Sequence, residues 1–138
     1  MADTLAFGFN TTTGIPANNL DFTSRAFTDT TNGLATTGTL VLEWTRLADI
    51  TGNRRYAELS QKAESYLLKP TPSLGEPFPG LLGSGIDIKT GKFTNSNGGW
   101  GGGSDSFYEY LIKMWVYDEE KYELYKERYD NFKPSLPR

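Results

Sequence analysis

The sequence predicts an all-α fold: two helical hairpins joined through a short β-hairpin, forming part of a larger barrel rather than a closed bundle. Three observations carry this. Apolar residues recur at helical spacing in two adjacent runs within 37–69, separated only by Gly52-Asn53. A later helix at 105–117 is apolar on nearly every side, and is followed by a charged, amphipathic one. A helix of that kind must be covered all round, and the few helices of a 138-residue chain cannot surround it. Alternation of a buried helix with an outer one is what a barrel of helical hairpins requires.

Taken in order, residues 1–36 read as a helix end over 2–9 and then a long loop. The polar run NTTTGIP stops the helix, and Asn10-Thr11-Thr12 within it is a glycosylation sequon, usable only in a secreted chain. ANNLDFTSRAFTDTTNGLA, residues 17–35, has turn formers throughout and no period, and loops that long are usually functional. In the helix pair 37–69, Leu40, Val41, Trp44, Leu47 and Ala48 share a face, Thr36 or Thr37 is the candidate cap, and Gly52 is the stop. Asn53 then caps RRYAELSQKAESYLL, whose face is Tyr56, Leu59, Ala63 and Leu67, and Lys69-Pro70 ends it. So short a turn makes the two helices antiparallel neighbours.

PTPSLGEPFPG reads as a proline-rich loop, and 80–97 as a β-hairpin in which Ile86, Ile88 and Phe93 flank the turn Lys89-Thr90-Gly91. The second helix pair occupies 105–132. Met114 and Trp115 of its first helix are expected to face water unless neighbouring polypeptide covers them. The charges of EEKYELYKERYDNF read as solvated surface, and KPSLPR as a tail or linker.

Composition narrows the chemistry. Histidine and cysteine are both absent, which excludes Ser-His and Cys-His nucleophiles, the usual zinc sites and disulfides. Catalysis would rest on carboxylates, lysine, tyrosine, hydroxyls or an oxygen-bound hard cation. A net charge of -3 gives no basic footprint for nucleic acid or acidic membranes, and no run is long and apolar enough for a membrane span. The start MADTLAFGF lacks the regions of a secretory signal. Three Trp, eight Tyr and eight Phe in so polar a chain suit a core, and beside carboxylates they also suit carbohydrate.

The candidate site lies in GGWGGGSDSFYEYLIKMW. Asp105 and Glu109 are one helical turn apart, about 40° around the axis at ~100° per residue, on a helix whose other faces are greasy. Two carboxylates held together in low dielectric form the electrostatic setting of an acid/base site. Bland alternatives stand beside this. Ser106-Phe107-Tyr108-Glu109 fits a capping box, an acid there suits the helix dipole, and the glycine run fits a plain loop. The glycines match neither a dinucleotide fingerprint nor a Walker loop. Glu43, among Val41, Leu42 and Trp44, is the third acid of interest, with a solvated face as its ordinary reading.

Together, DSFYEYLIK after its glycine-rich approach, TLVLEWTRLADITGNRRYAEL upstream and FNTTTGIP near the start resemble glycoside hydrolase family 47, the class I α-1,2-mannosidases, and most closely its fungal secreted members. The resemblance runs from about Leu5 to Phe132. It implies an (α/α)7 barrel with calcium at the bottom of its cavity, and inverting removal of terminal α-1,2-linked mannose from high-mannose N-glycans. It implies that Asp105 is the essential aspartate taking part in proton transfer, and that Glu109 and Glu43 line the sugar pocket. Its implied partners are a high-mannose oligosaccharide and the remaining barrel segments, and its implied location is the secretory pathway or the cell exterior.

Three departures qualify it. Thr36 stands where the family carries a first pocket acid. Gly103, two residues before the aspartate, stands where the endoplasmic-reticulum type carries arginine, which points to broader Golgi-like or fungal specificity. The family's chain is also much longer: its general acid lies on an earlier segment, and its other catalytic glutamates and the calcium-binding threonine on later ones. The expectation is therefore a mannosidase segment, inactive without the rest of the barrel, with most calcium ligands elsewhere. The alternative is a non-catalytic mannose-binding or interaction module derived from that barrel.

Overall fold

The computed structural model of the chain describes residues 1–71, 76 and 78–136. Residues 72–75 and 77 of the proline-rich loop, and the last two residues of the tail, lie outside the described residues. The elements in order are α1 (Ala2–Leu5), a 3-10 turn (Ala6–Phe9), β1 (Thr31–Gly33), α2 (Leu34–Gly38), α3 (Val41–Thr51), α4 (Arg55–Leu68), β2 (Gly85–Asp87), α5 (Asp105–Tyr117), α6 (Glu123–Phe132) and a closing 3-10 turn (Lys133–Ser135).

The hairpins pack as their turns dictate. Helix α3 lies on α4 and α5 lies on α6, while α3 touches α5 and α4 touches α6, giving two rows of helices. Gly52, with φ of 71°, takes the left-handed conformation that ends α3. The Asn53 side chain accepts the Arg55 N–H at 3.2 Å, so it serves the start of α4. Trp44 meets Phe9 edge-on at 4.9 Å and Tyr56 at 5.9 Å, pinning α3 between the N-terminal turn and α4. One apolar cluster runs through both rows, from Phe9 and Ile15 through Leu67, Ile86 and Ile88 to Phe107, Leu111 and Phe132.

The start of the first pair departs from expectation. Thr36 and Thr37 do not cap a helix; they lie inside α2, which breaks at Thr39-Leu40 before α3 begins, and neither helix has a side-chain cap. The break lets α2 turn onto α5. Gly38 is seated directly on the Phe107 ring, with no room there for a side chain.

The hairpin also differs. Strand β2 pairs antiparallel with β1, in register Thr31↔Asp87, Asn32↔Ile86 and Gly33↔Gly85, so the end of the predicted loop supplies its main partner. The predicted hairpin survives in reduced form, as an Ile86↔Phe93 bridge and an Asp87 N–H to Lys92 carbonyl bond of 2.9 Å. Asn32 explains the recruitment: its buried amide donates to the Pro16 carbonyl at 2.8 Å, tying loop, strand and sheet together.

Two further expectations fail. Met114 is fully buried within this chain, and Trp115 is half-buried with the Lys126 ammonium 5.7 Å from its ring. The charges of α6 are not all solvated either. Arg128 is 4 % exposed and donates to Glu76 Oε1 at 3.0 Å and to the Gly80 carbonyl at 3.2 Å. Helix α5 is nevertheless covered on one side only. Phe107, Tyr108, Leu111 and Met114 are buried, Ile112 is partly so, and Val116 remains 63 % exposed. No described helix is long and apolar enough to cross a membrane.

Candidate active site

The approach to α5 is set by the backbone. Gly103 has φ of 96°, which side chains rarely tolerate, and its carbonyl accepts the Ala35 N–H at 3.0 Å, anchoring the run to α2. Three others are not forced by packing in this chain: a Cβ on Gly99, Gly101 or Gly102 would meet nothing within 4 Å. Trp100 holds the loop down, its ring 4.5 Å from Phe132 and 4.8 Å from Tyr108. Tyr108 in turn accepts the Leu82 N–H at 2.8 Å, and burial pushes its phenol upward in pKa. An aromatic stack thus fixes where α5 begins.

Asp105 is the first residue of α5 and Glu109 follows one turn later; both face solvent. The low-dielectric setting expected for them is absent from this chain, because no described element covers that face. The Asp105 backbone N–H donates to the Gly101 carbonyl at 3.2 Å, while its carboxylate makes no hydrogen bond or ion pair among the described residues. The partner of Glu109 is Lys113, at 2.9 Å, an exposed i,i+4 pair that contributes little to stability. The capping box does not form: Ser104 occupies the cap position, without a side-chain bond to the helix.

Glu43 is solvent-facing but not idle. Its Oε1 accepts the Tyr110 hydroxyl at 2.8 Å, joining α3 to α5, and this bond, followed by burial, raises the tyrosine pKa. The Lys113 ammonium lies 4.7 Å from the Tyr110 ring. Glu43, Tyr110, Lys113 and Glu109 therefore form one polar chain across the two helices. Tyr110 and Lys113 escaped the sequence reading, although the Glu109-to-Lys113 spacing was there to be read. Thr36 lies exposed on α2. The geometry provides an open wall of sugar-compatible acids beside aromatic rings. Asp105 and Glu109 do not oppose one another, and among the described residues there is no group of three acids able to hold a metal.

The family to which this segment belongs follows from comparison with known proteins. The model for glycosyl hydrolase family 47 matches residues 1–136. The chain belongs to that family.

It is similar to a mannosyl-oligosaccharide α-1,2-mannosidase of Penicillium citrinum, 62% identical over 130 residues that make up 94% of this chain and 25% of that protein. It is likewise similar to one of Coccidioides posadasii, 64% identical over 131 residues, again 94% of this chain and 25% of the relative. Among solved structures, the α-1,2-mannosidase from Trichoderma reesei matches with a TM-score of 0.92 and 45% identity, covering 97% of this chain and 28% of that one. The chain thus spans about a quarter of the length of these relatives, and its fold is a segment of their α/α barrel.

Proposed function

We propose that this chain forms one wall of the active site of an α-1,2-mannosidase that removes terminal α-1,2-linked mannose from high-mannose N-glycans with inversion. The observation that supports this best is the placement of Asp105 and Glu109 at the mouth of α5, on the side this chain leaves uncovered, within a fold that matches a quarter of such enzymes. Inversion needs an acid and a base about 6.5–9.5 Å apart on opposite faces of the sugar, with water on one of them. Asp105 and Glu109 project from one face of one helix, about 6 Å apart at Cβ, so they hold one side of a sugar and do not flank it.

In this reading Asp105 handles the proton transferred as water adds to the anomeric carbon. Glu109 and Glu43 accept hydrogen bonds from sugar hydroxyls. Lys113 pairs with Glu109 and Tyr110 bonds Glu43, which orients those two carboxylates. The opposing carboxylate comes from a segment this chain does not contain. Calcium takes 6–8 oxygen ligands, and the described residues do not fit it, so no step here passes through the ion.

The test is Asp105→Asn in the complete enzyme carrying this segment, assayed on an α-1,2-linked mannobiose. The expected result is a kcat lower by about a hundredfold or more, with the fold retained. Unchanged turnover would remove Asp105 from the chemistry.

A further inference from the structure

The run NTTTG contains the chain's single sequon, Asn10-Thr11-Thr12. Three threonines in a turn can be explained by backbone bonding alone, and the structure shows which of them are. Thr11 Oγ1 accepts the Gly14 N–H and donates to the Ile15 carbonyl, both at 2.9 Å. Thr13 Oγ1 donates to the Ile88 carbonyl at 2.7 Å and accepts the Ile15 N–H at 3.0 Å, locking the turn to the sheet. The two outer threonines of the run are accounted for by the fold.

The other two polar side chains are not. Asn10 and Thr12 are both exposed, and neither side chain makes a hydrogen bond among the described residues. The Asn10 backbone is already settled, its N–H donating to the Phe7 carbonyl at 2.9 Å as the 3-10 turn ends. The side-chain amide therefore points outward from an ordered stem. It borders a polar cleft with Asp3, Phe7, Arg25, Arg55 and Leu59, which leaves room beside it for a first sugar without displacing core residues.

We propose that Asn10 is an N-glycosylation acceptor, modified from a lipid-linked oligosaccharide diphosphate as the chain enters the secretory lumen. In the transfer, the bond from the sugar's anomeric carbon to the diphosphate oxygen breaks as a bond to Asn10 Nδ2 forms. The diphosphate leaves with the electron pair, the amide nitrogen gives up one proton, and nothing is oxidised or reduced. The Thr12 hydroxyl is the recognition element at the second position after the asparagine. This rests on placing the chain in a secretory-pathway enzyme, but its test does not use mannosidase activity.

The experiment translates the chain behind a secretory signal in the presence of microsomes and scores, by intact mass, only molecules protected from added protease. The expected result is the mass of one oligosaccharide added, released by an endoglycosidase, absent in Asn10→Gln and Thr12→Ala, and retained in Thr12→Ser. Protected chains that stay unmodified, or a modification surviving Asn10→Gln, overturn the proposal. Modified chains whose complete enzyme lacks mannosidase activity would instead count against the proposed function alone.

Discussion

At the scale of single residues, Glu64 is the least expected feature. It sits on α4 and is 1 % exposed, and neither carboxyl oxygen has a hydrogen-bond partner among the described residues. Burial holds its proton well above the ordinary carboxylate value of 4.5, and the same pocket pushes the Tyr125 phenol upward, first by burial and then by the nearby acid. A carboxyl that is protonated in the folded state and ionised in the unfolded one contributes stability that is full below about 4.5 and declines as pH rises. Replacing Glu64 with Gln should remove that slope. Urea melts across a pH series are expected to show the variant gaining on the parent by about 1.4 kcal/mol per pH unit above this point, until the folded group itself ionises. Parallel curves would show that Glu64 is ionised or solvated in the folded chain.

At the scale of elements, Arg128 connects the outer helix to the proline-rich loop. Its two bonds, to Glu76 and to the Gly80 carbonyl, are reinforced by the Gly80 N–H, which donates to the same Glu76 oxygen at 2.6 Å. Truncation would leave a buried carbonyl unpaired and a partly buried carboxylate without its counter-charge. Arg128→Ala is expected to lower unfolding free energy by about 3 kcal/mol, measured by chemical denaturation. Arg128→Lys should recover only part of this, since an ammonium cannot reach both partners in the planar geometry of a guanidinium. Loss below about 0.5 kcal/mol would mark the contact as a surface pair. The same helix buries Phe132 against Tyr108 of α5, ring centroids 5.0 Å apart, and so gives the site helix its stable back.

At the scale of the whole molecule, the uncovered side governs behaviour. Ile50 and Val116 are 67 % and 63 % exposed, and the candidate acids open toward solvent. The proposed inverting reaction needs two opposed carboxylates, and Asp105 and Glu109 share one face of one helix. The isolated chain is therefore expected to release no mannose from an α-1,2-linked mannobiose, with or without added calcium, in an assay where the complete enzyme turns over. Measurable hydrolysis by the chain alone would mean that two of its own acids can flank the bond, which Asp105 and Glu109, sharing one face of one helix, do not.

How much of this was legible in the sequence depends on whether each signal was local. The bounds of α5, the left-handed stop at Gly52 and the helical hairpins follow from apolar period and turn chemistry, which act within a few residues. The same locality made Asp105, Glu109 and Glu43 readable as candidates, and the family resemblance gave them roles. What the sequence could not show were the pairings that close over long separations: β1 recruited from an apparent loop by Asn32, α2 folded onto Phe107 through Gly38, and Glu43 bonded to Tyr110. Patterns of period and propensity report which face of an element is apolar. Only the folded chain decides what that face meets, because burial and hydrogen-bond satisfaction are settled between elements and not within them. For that reason Arg128 and Glu64, alike in sequence to any surface charge, are buried, while the two acids of α5 stand open on the side this chain leaves uncovered.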